Sequence, residues 1–157
     1  MKVYRLQAEQ VLPIDLNTAW AFFSDPRNLL AITPPELNLI PVNELPDSMY
    51  AGQIIEYKVR IAPLIHFTWL TEITHVEDRA SFVDEQRFGP YRLWHHRHTF
   101  EAVEGGTRCG DLVHYVVPGG PLAPLIHAMA IGRKLQRIFS YREQRLAERF
   151  GVMSATP

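Results

Sequence analysis

Between Trp94 and Phe100 the chain reads Trp-His-His-Arg-His-Thr-Phe, and in an extended segment successive side chains point to opposite faces. Trp94, His96, His98 and Phe100 therefore share one face, and His95 falls on the other. Two imidazoles among aromatic rings, with Asp84, Asp111 and Tyr115 in neighbouring runs, could do general acid/base work. A carboxylate-oriented imidazole can remove a proton beside a carbonyl, and a tyrosine hydroxyl can stabilise the enolate. His96, His98, Asp111 and Tyr115 are thus the catalytic candidates. The same groups could instead form a satisfied buried polar network that orients a ligand, and that reading is the stronger one. A metal held by His96, His98 and Asp111 is set aside because no HExxH or Cys/His-finger spacing accompanies them, so neither a metal nor a cofactor is expected. Cys109 has no neighbouring base motif and reads as inert packing.

These side chains need a sheet to hold them. Residues 3–12 alternate as a first strand. Asp15 and Asp25-Pro26 open two short helices that end at Thr33-Pro34-Pro35. Six further strands are predicted near 37–44, 53–61, 67–76, 81–88, 92–104 and 107–117. Turn signals separate them, among them Pro46-Asp47, Pro63, Gly89-Pro90 and Gly105-Gly106. Short connections imply hairpins, hence a curved antiparallel meander. A helix over 122–149 then carries Leu125, Met129, Leu135, Ile138, Phe139 and Leu146 as an apolar stripe and stops at Gly151. Arg133, Lys134, Arg137, Arg142 and Arg145 read as its solvated face. The fold class is α+β: one domain over 1–151 and a disordered tail over 152–157.

Turn lengths set the register. A Gly105-Gly106 turn places His96 opposite Tyr115, His98 opposite Val113 and Phe100 opposite Asp111. A turn closing Glu77 on Ala80 pairs Ile73 with Asp84, Thr71 with Gln86 and Trp69 with Phe88. The two sets share a face only if the Gly89-Pro90 connection has three residues or a bulge.

The order of elements, with Phe82-Val83-Asp84-Glu85-Gln86, Gly89-Pro90-Tyr91, Trp94-x-His96-x-His98-x-Phe100 and Asp111-x-Val113-x-Tyr115, resembles the START-like (SRPBCC) superfamily over about residues 2 to 150. More narrowly it is similar to the polyketide cyclase/dehydrase-like branch. The resemblance implies a helix-grip fold, a seven-stranded sheet wrapped around the C-terminal helix, with a cavity between them for lipids, polyketides or quinones. Family positions fall on Trp69, Asp84, Gln86, His96, His98, Phe100, Asp111 and Tyr115, and on Phe139 and Arg142 in the helix. No invariant catalytic set accompanies the superfamily.

Residues 1–157 carry 46% hydrophobic and 21% charged residues, which suits a globular protein with room for a core and a cavity. Sixteen basic and 17 acidic side chains nearly balance, which argues against nucleic acid. No apolar run reaches membrane-spanning length, no secretory signal opens the chain, and the single cysteine suits a reducing cytoplasm. The expected function is binding of a hydrophobic or aromatic small molecule by Trp69, Asp84, Gln86, Trp94, His96, His98, Phe100, Asp111, Val113, Tyr115 and Met129. Trp20, Phe23 and Leu125 stand as further candidates for the cavity mouth. The alternatives are a cofactor-independent cyclase, aromatase or dehydratase with His96 or His98 as base, and a regulatory module that meets a protein through 118–124. A weak homodimer is left open.

Overall fold

The computed structural model describes residues 1–46, 48–62 and 64–152, without the side chains of 61 and 62. The Pro46-Asp47 and Pro63 turn signals and the predicted tail thus fall partly outside the described residues. Strand β1 (Tyr4–Leu12) leads to helix α1 (Leu16–Phe23), whose first turn is capped by the Asp15 carboxylate accepting from Thr18 N at 3.0 Å. Asp25 caps the 3-10 turn Pro26–Ile32 by accepting from Arg27 N at 2.9 Å. Strands β2 (Ile40–Pro41), β3 (Gln53–Ala62), β4 (Ile65–Glu77), β5 (Ser81–Phe88), β6 (Leu93–Val103) and β7 (Gly106–Val116) complete an antiparallel sheet of order β1-β7-β6-β5-β4-β3-β2. This is the expected helix-grip architecture: a curved seven-stranded sheet closed against a long C-terminal helix.

That helix has more than one part. A 3-10 turn (Gly120–Leu122), α2 (Ala123–Ile126), a π-helical turn (His127–Ile131) and α3 (Gly132–Phe150) follow one another where a single helix over 122–149 is predicted. The π turn is the kind of local widening often found at functional positions. On α3, Leu135, Ile138, Phe139, Arg142 and Leu146 recur at helical spacing and form the face turned to the sheet. Arg142 is thus buried at 12% side-chain exposure, which corrects its placement on a solvated face.

Strand β2 has two residues instead of the eight predicted over 37–44. Leu37 closes a 3-10 turn, Asn38 adopts a left-handed conformation (φ 41°), and Pro41 has no N–H to give a ladder. Asn43 continues the pairing with its side chain, donating to Ile54 O at 3.0 Å and accepting from Glu56 N at 2.8 Å.

The register between β6 and β7 differs from expectation by two in the pair sum. Val103 pairs with Gly106 around a Glu104-Gly105 turn, so His96 lies opposite Val113, His98 opposite Asp111 and Phe100 opposite Cys109. An even shift keeps every side chain on its expected face. Gly106 is required at its position because a Cβ there would stand 2.0 Å from the Leu12 carbonyl oxygen.

Between β4 and β5, Ile73 faces Asp84 and Thr71 faces Gln86 as expected. The route differs: the turn has three residues, with Arg79 left-handed, and a bulge at Thr74 restores the parity. A second bulge at Arg87 places Phe88 opposite Leu70 instead of Trp69, and Phe88 is 59% exposed. Across Gly89-Pro90, four residues leave the sheet between Phe88 and Leu93 and the ladder resumes at Glu85–His95. Asp84 therefore faces His96, and the two sets share one face.

Candidate functional site

Sheet and helix enclose a cavity of about 690 Å³, within the size range of small-molecule sites. Alternation on β3 aims Ile55, Tyr57 and Val59 into it, and α3 contributes Leu135, Ile138 and Phe139. Trp69, Tyr91 and Trp94 form an aromatic group on the sheet side: the Trp69 and Trp94 rings meet edge-on at 5.3 Å, and Tyr91 lies 4.9 Å from Trp94. A smaller depression of about 290 Å³ adjoins the cavity, sharing Leu37, Lys134 and Ile138, and is bordered by the Glu36–Arg137 ion pair at 3.0 Å. It has none of the aromatic or imidazole groups.

Asp25, Asn28, Thr33, Thr71 and Lys134 are polar residues of the wall, and four more collect at one place. Asp84 on β5, His96 and His98 on β6 and Arg142 on α3 line the wall, and Asp111 on β7 lies behind the imidazoles. His96 Nε2 donates to Asp111 Oδ1 at 2.8 Å, because a carboxylate can only accept. His98 Nε2 donates to Asp84 Oδ2 at 2.8 Å. The remaining ring nitrogens reach across: His96 Nδ1 is 3.4 Å from Asp84 Oδ2, and His98 Nδ1 is 3.1 Å from Asp111 Oδ1. The His98 Nδ1 contact lies off the N–H direction and is electrostatic, which leaves this buried nitrogen without a well-formed hydrogen bond. Arg142 Nη2 stands 3.2 Å from Asp111 Oδ1, with its guanidinium over the Phe23 and Phe139 rings.

The charges follow from this geometry. Burial alone would raise both carboxyls, but Arg142 and the imidazoles hold Asp111 well below the usual carboxylate range, and His96, His98 and Arg142 hold Asp84 below it. Burial also disfavours charge on both histidines. At His96 it wins, reinforced by His98, and the pKa falls; at His98 the attraction of the Asp111 carboxylate and the hydrogen bond to Asp84 win, and the pKa rises. The cluster thus favours an imidazolium at His98 and a neutral His96, so that two cations offset two carboxylates.

Asp84, His96 and His98 also form a set, among the described residues, whose nitrogen and oxygen atoms lie within 4.8 Å of one another, close enough for a metal ion. The His98–Asp84 separation of 2.8 Å is that of a hydrogen bond, and a cation there would have to displace its proton.

Of the expected ligand-binding residues, Trp69, Asp84, Trp94, His96 and His98 line the cavity. The other six are not among its wall residues. Gln86 fastens the β5–β6 connection, donating to Tyr91 O at 2.7 Å and accepting from Tyr91 N at 3.3 Å. Phe100 packs among Trp20, Phe23 and Phe82 in the core. Asp111 is behind the histidines, and Val113 is fully buried beneath Leu135 and its neighbours. The Tyr115 hydroxyl shares a hydrogen bond with His127 Nε2 at 2.8 Å. Met129 and Leu125 are exposed at 65% and 57%. Trp20 belongs to the core, whereas Phe23 does reach the cavity. Cys109 is buried, and its thiol is pushed up to about 12 by that burial, which keeps it unreactive. Tyr57, Val59, Phe67 and Tyr91 are wall residues without a place among the expected ones. The alternation Ile55, Tyr57, Val59 is the sequence signal that carries two of them.

No family model matches the chain, and no curated protein sequence does so either. Solved structures share its fold. Protein CV1439 from Chromobacterium violaceum superposes with a TM-score of 0.70 at 12% identity, over 95% of this chain and 98% of that one. Protein Ms6760 from Mycobacterium smegmatis gives 0.63 at 17% identity, with the same coverage of 95% and 98%. Ara h 8.0201, a helix-grip protein of the Bet v 1-like type, gives 0.57 at 18% identity over 94% of this chain and 99% of that one.

Proposed function

We propose that this protein binds a hydrophobic or aromatic small molecule of lipid, polyketide or quinone type, with a polar group of the ligand directed at Asp84, His96, His98 and Arg142. The observation that carries this reading is the cluster in the wall: in a cavity lined mostly by apolar and aromatic side chains, with Asp25, Asn28, Thr33 and Lys134 also on the wall, Asp84, His96, His98 and Arg142 converge on one place around Asp111. His98 donates to an Asp84 oxygen, and the unprotonated Nδ1 of neutral His96 faces that oxygen at 3.4 Å. A hydroxyl, phenol or carbonyl on a ligand meets donors and an acceptor together there. A neutral head leaves the two-against-two charge balance intact, whereas an added buried charge would upset it.

The alternative of a cyclase, aromatase or dehydratase has less support. A general base must be unprotonated, and His98 is stabilised as the imidazolium; the candidate that remains is His96, whose Nε2–H is held by Asp111 and whose free Nδ1 stands 3.4 Å from the Asp84 carboxylate. Tyr115, the candidate enolate stabiliser, is engaged by His127 outside the cavity wall.

The test uses an anilinonaphthalene sulfonate dye and the purified protein. The dye's fluorescence should rise on binding to the native protein and fall when long-chain alcohols or phenols displace it. Val59→Trp, projecting from β3, and Ala130→Trp, projecting from the helix, fill the cavity from opposite sides and should each reduce dye binding while the protein stays folded. Undiminished binding in both folded variants would reject the cavity as the site.

A further inference from the structure

We propose that the end of the sheet at which the cavity opens docks on an anionic lipid bilayer. The register places the start of β1, the β3–β4 hairpin, the end of β5, the start of β6, the end of β7 and the start of the C-terminal helix at this one end. Tyr4 is opposite Tyr115, Leu93 opposite Val116, Leu70 opposite Phe88 and Ala62 opposite Ile65. His127, in the π turn, stacks on Tyr4 at 3.7 Å and ties the helix start to the same end.

Two independent features meet there. The first is exposed apolar surface: Leu64 is 96% exposed, Met129 65%, Leu122 64%, Phe88 59%, Leu125 57% and Ile65 50%. Residues 116–132 contain no Asp, Glu, Lys or Arg, although most of 120–130 is exposed. Exposed apolar side chains gathered at one end of a sheet mark a surface that meets another apolar phase. The second is charge. Segments 1–8, 57–71, 86–100 and 112–142 hold none of the 17 acidic residues of the chain. Lys2, Arg92 and Arg133 border the rim, and all three are exposed. Glu77 and Asp78, Glu101 and Glu104 lie by the turns at the far end, where Arg79 pairs with Asp78 and Arg108 with Glu101, and Glu36 is a carboxylate beside the cationic segment, paired with Arg137. In a protein of net charge -1, segments free of carboxylates and carrying exposed Lys and Arg thus coincide with the apolar end.

Apolar side chains bordered by Lys and Arg fit a negatively charged headgroup layer over acyl chains. An acidic protein groove would satisfy the cations but needs a shape that nothing here specifies, whereas a bilayer accepts a loose rim of leucines. No helix among the described residues is long and apolar enough to cross a membrane, so the contact is peripheral. Phe67 and Ile126 line the cavity and are also exposed at 37% each, which puts an opening inside the rim. A ligand could pass between bilayer and cavity there without crossing water. Docking itself does not depend on the ligand; this transfer route rests on the ligand-binding reading above.

The experiment is co-sedimentation of the purified protein with phosphatidylcholine vesicles, with and without phosphatidylglycerol, at low and high salt. Binding is expected only to the anionic vesicles and should weaken with salt. Leu125→Glu and Met129→Glu should each abolish it. Arg92→Ala and Arg133→Ala should each lower partitioning about fivefold. Ile54→Ser, exposed at the far end, should leave it unchanged. Dye binding by the cavity, measured without vesicles, should be unaltered by Leu125→Glu, so a failure of docking is distinguishable from a failure of ligand binding. The proposal is overturned by absence of binding to anionic vesicles or by equal binding with and without phosphatidylglycerol. It is also overturned if sedimentation velocity shows a dimer that Leu125→Glu dissociates, because a second copy would then cover the face.

Discussion

Replacing Asp111 by Ala removes the carboxylate on which His96, His98 and Arg142 converge. Its side chain is 11% exposed and Arg142 is 12% exposed, so little water can take its place. At the 3.2 Å separation of Asp111 and Arg142, with an effective dielectric near 20, the gross attraction is about 5 kcal/mol. The desolvation that both charges suffer must be set against this. Loss of one partner of a buried pair, leaving the other uncompensated, typically costs about 3–5 kcal/mol, and Asp111→Ala should fall in that range. Arg142→Met should cost a similar amount, since it strands Asp111 but keeps the packing against Phe23 and Phe139. The double variant strands neither, so it should be more stable than the sum of the two losses by at least about 1 kcal/mol. Urea unfolding followed by tryptophan fluorescence measures each corner of this cycle, with coincident circular dichroism to check two-state behaviour. Additive losses, or an Asp111→Ala cost below about 1 kcal/mol, would refute the charge-balanced cluster.

The two histidines should have opposite pH signatures. Both carboxyls lie below their ordinary 3.8, so the stability they confer is fully present above that value and is lost as pH falls through the folded pKa values. His98 is raised above 6.5: its contribution is full below pH 6.5 and is lost as pH rises through its folded value. His96 is lowered, so its contribution is present above pH 6.5 and is lost as pH falls. His98→Gln should therefore flatten the stability profile on the alkaline side of 6.5 and His96→Gln on the acid side; urea midpoints across pH check this, and flattening on one common side would contradict it. Gln86→Ala should cost about 1–2 kcal/mol by releasing two hydrogen bonds to Tyr91, with faster amide exchange confined to the β5–β6 connection. Gly106→Ala should cost more than about 2 kcal/mol, because its Cβ meets backbone at Leu12 that cannot swing aside; a near-neutral melting shift would show that the β1–β7 end is looser than described.

Much of the fold was legible because strand faces depend only on parity. Moving the β6–β7 turn from Gly105-Gly106 to Glu104-Gly105 changes pair sums by two and leaves His96, His98 and Asp111 on their expected face. On the other hairpin, a three-residue turn and the Thr74 bulge cancel, so Ile73 still meets Asp84. Bulges without such compensation were not legible: Arg87 turns Phe88 outward, and no residue type signals it. Depth was not legible either. Facing the helix is not the same as lining a cavity, and Val113, Phe100 and Tyr115 face inward but end beneath other side chains. Arg142 sits on the apolar stripe, seven residues after Leu135, and that spacing outweighs its charge once Asp111 waits opposite.

The claim that the cavity holds an amphipathic small molecule is tested most directly by native mass spectrometry of the protein purified from its own host. The wild-type protein should carry a bound organic molecule of discrete mass, released intact on denaturation, and Val59→Trp and Ala130→Trp should emerge without it. A wild-type protein that carries nothing, or folded plugged variants that carry the same molecule in the same amount, would contradict the account.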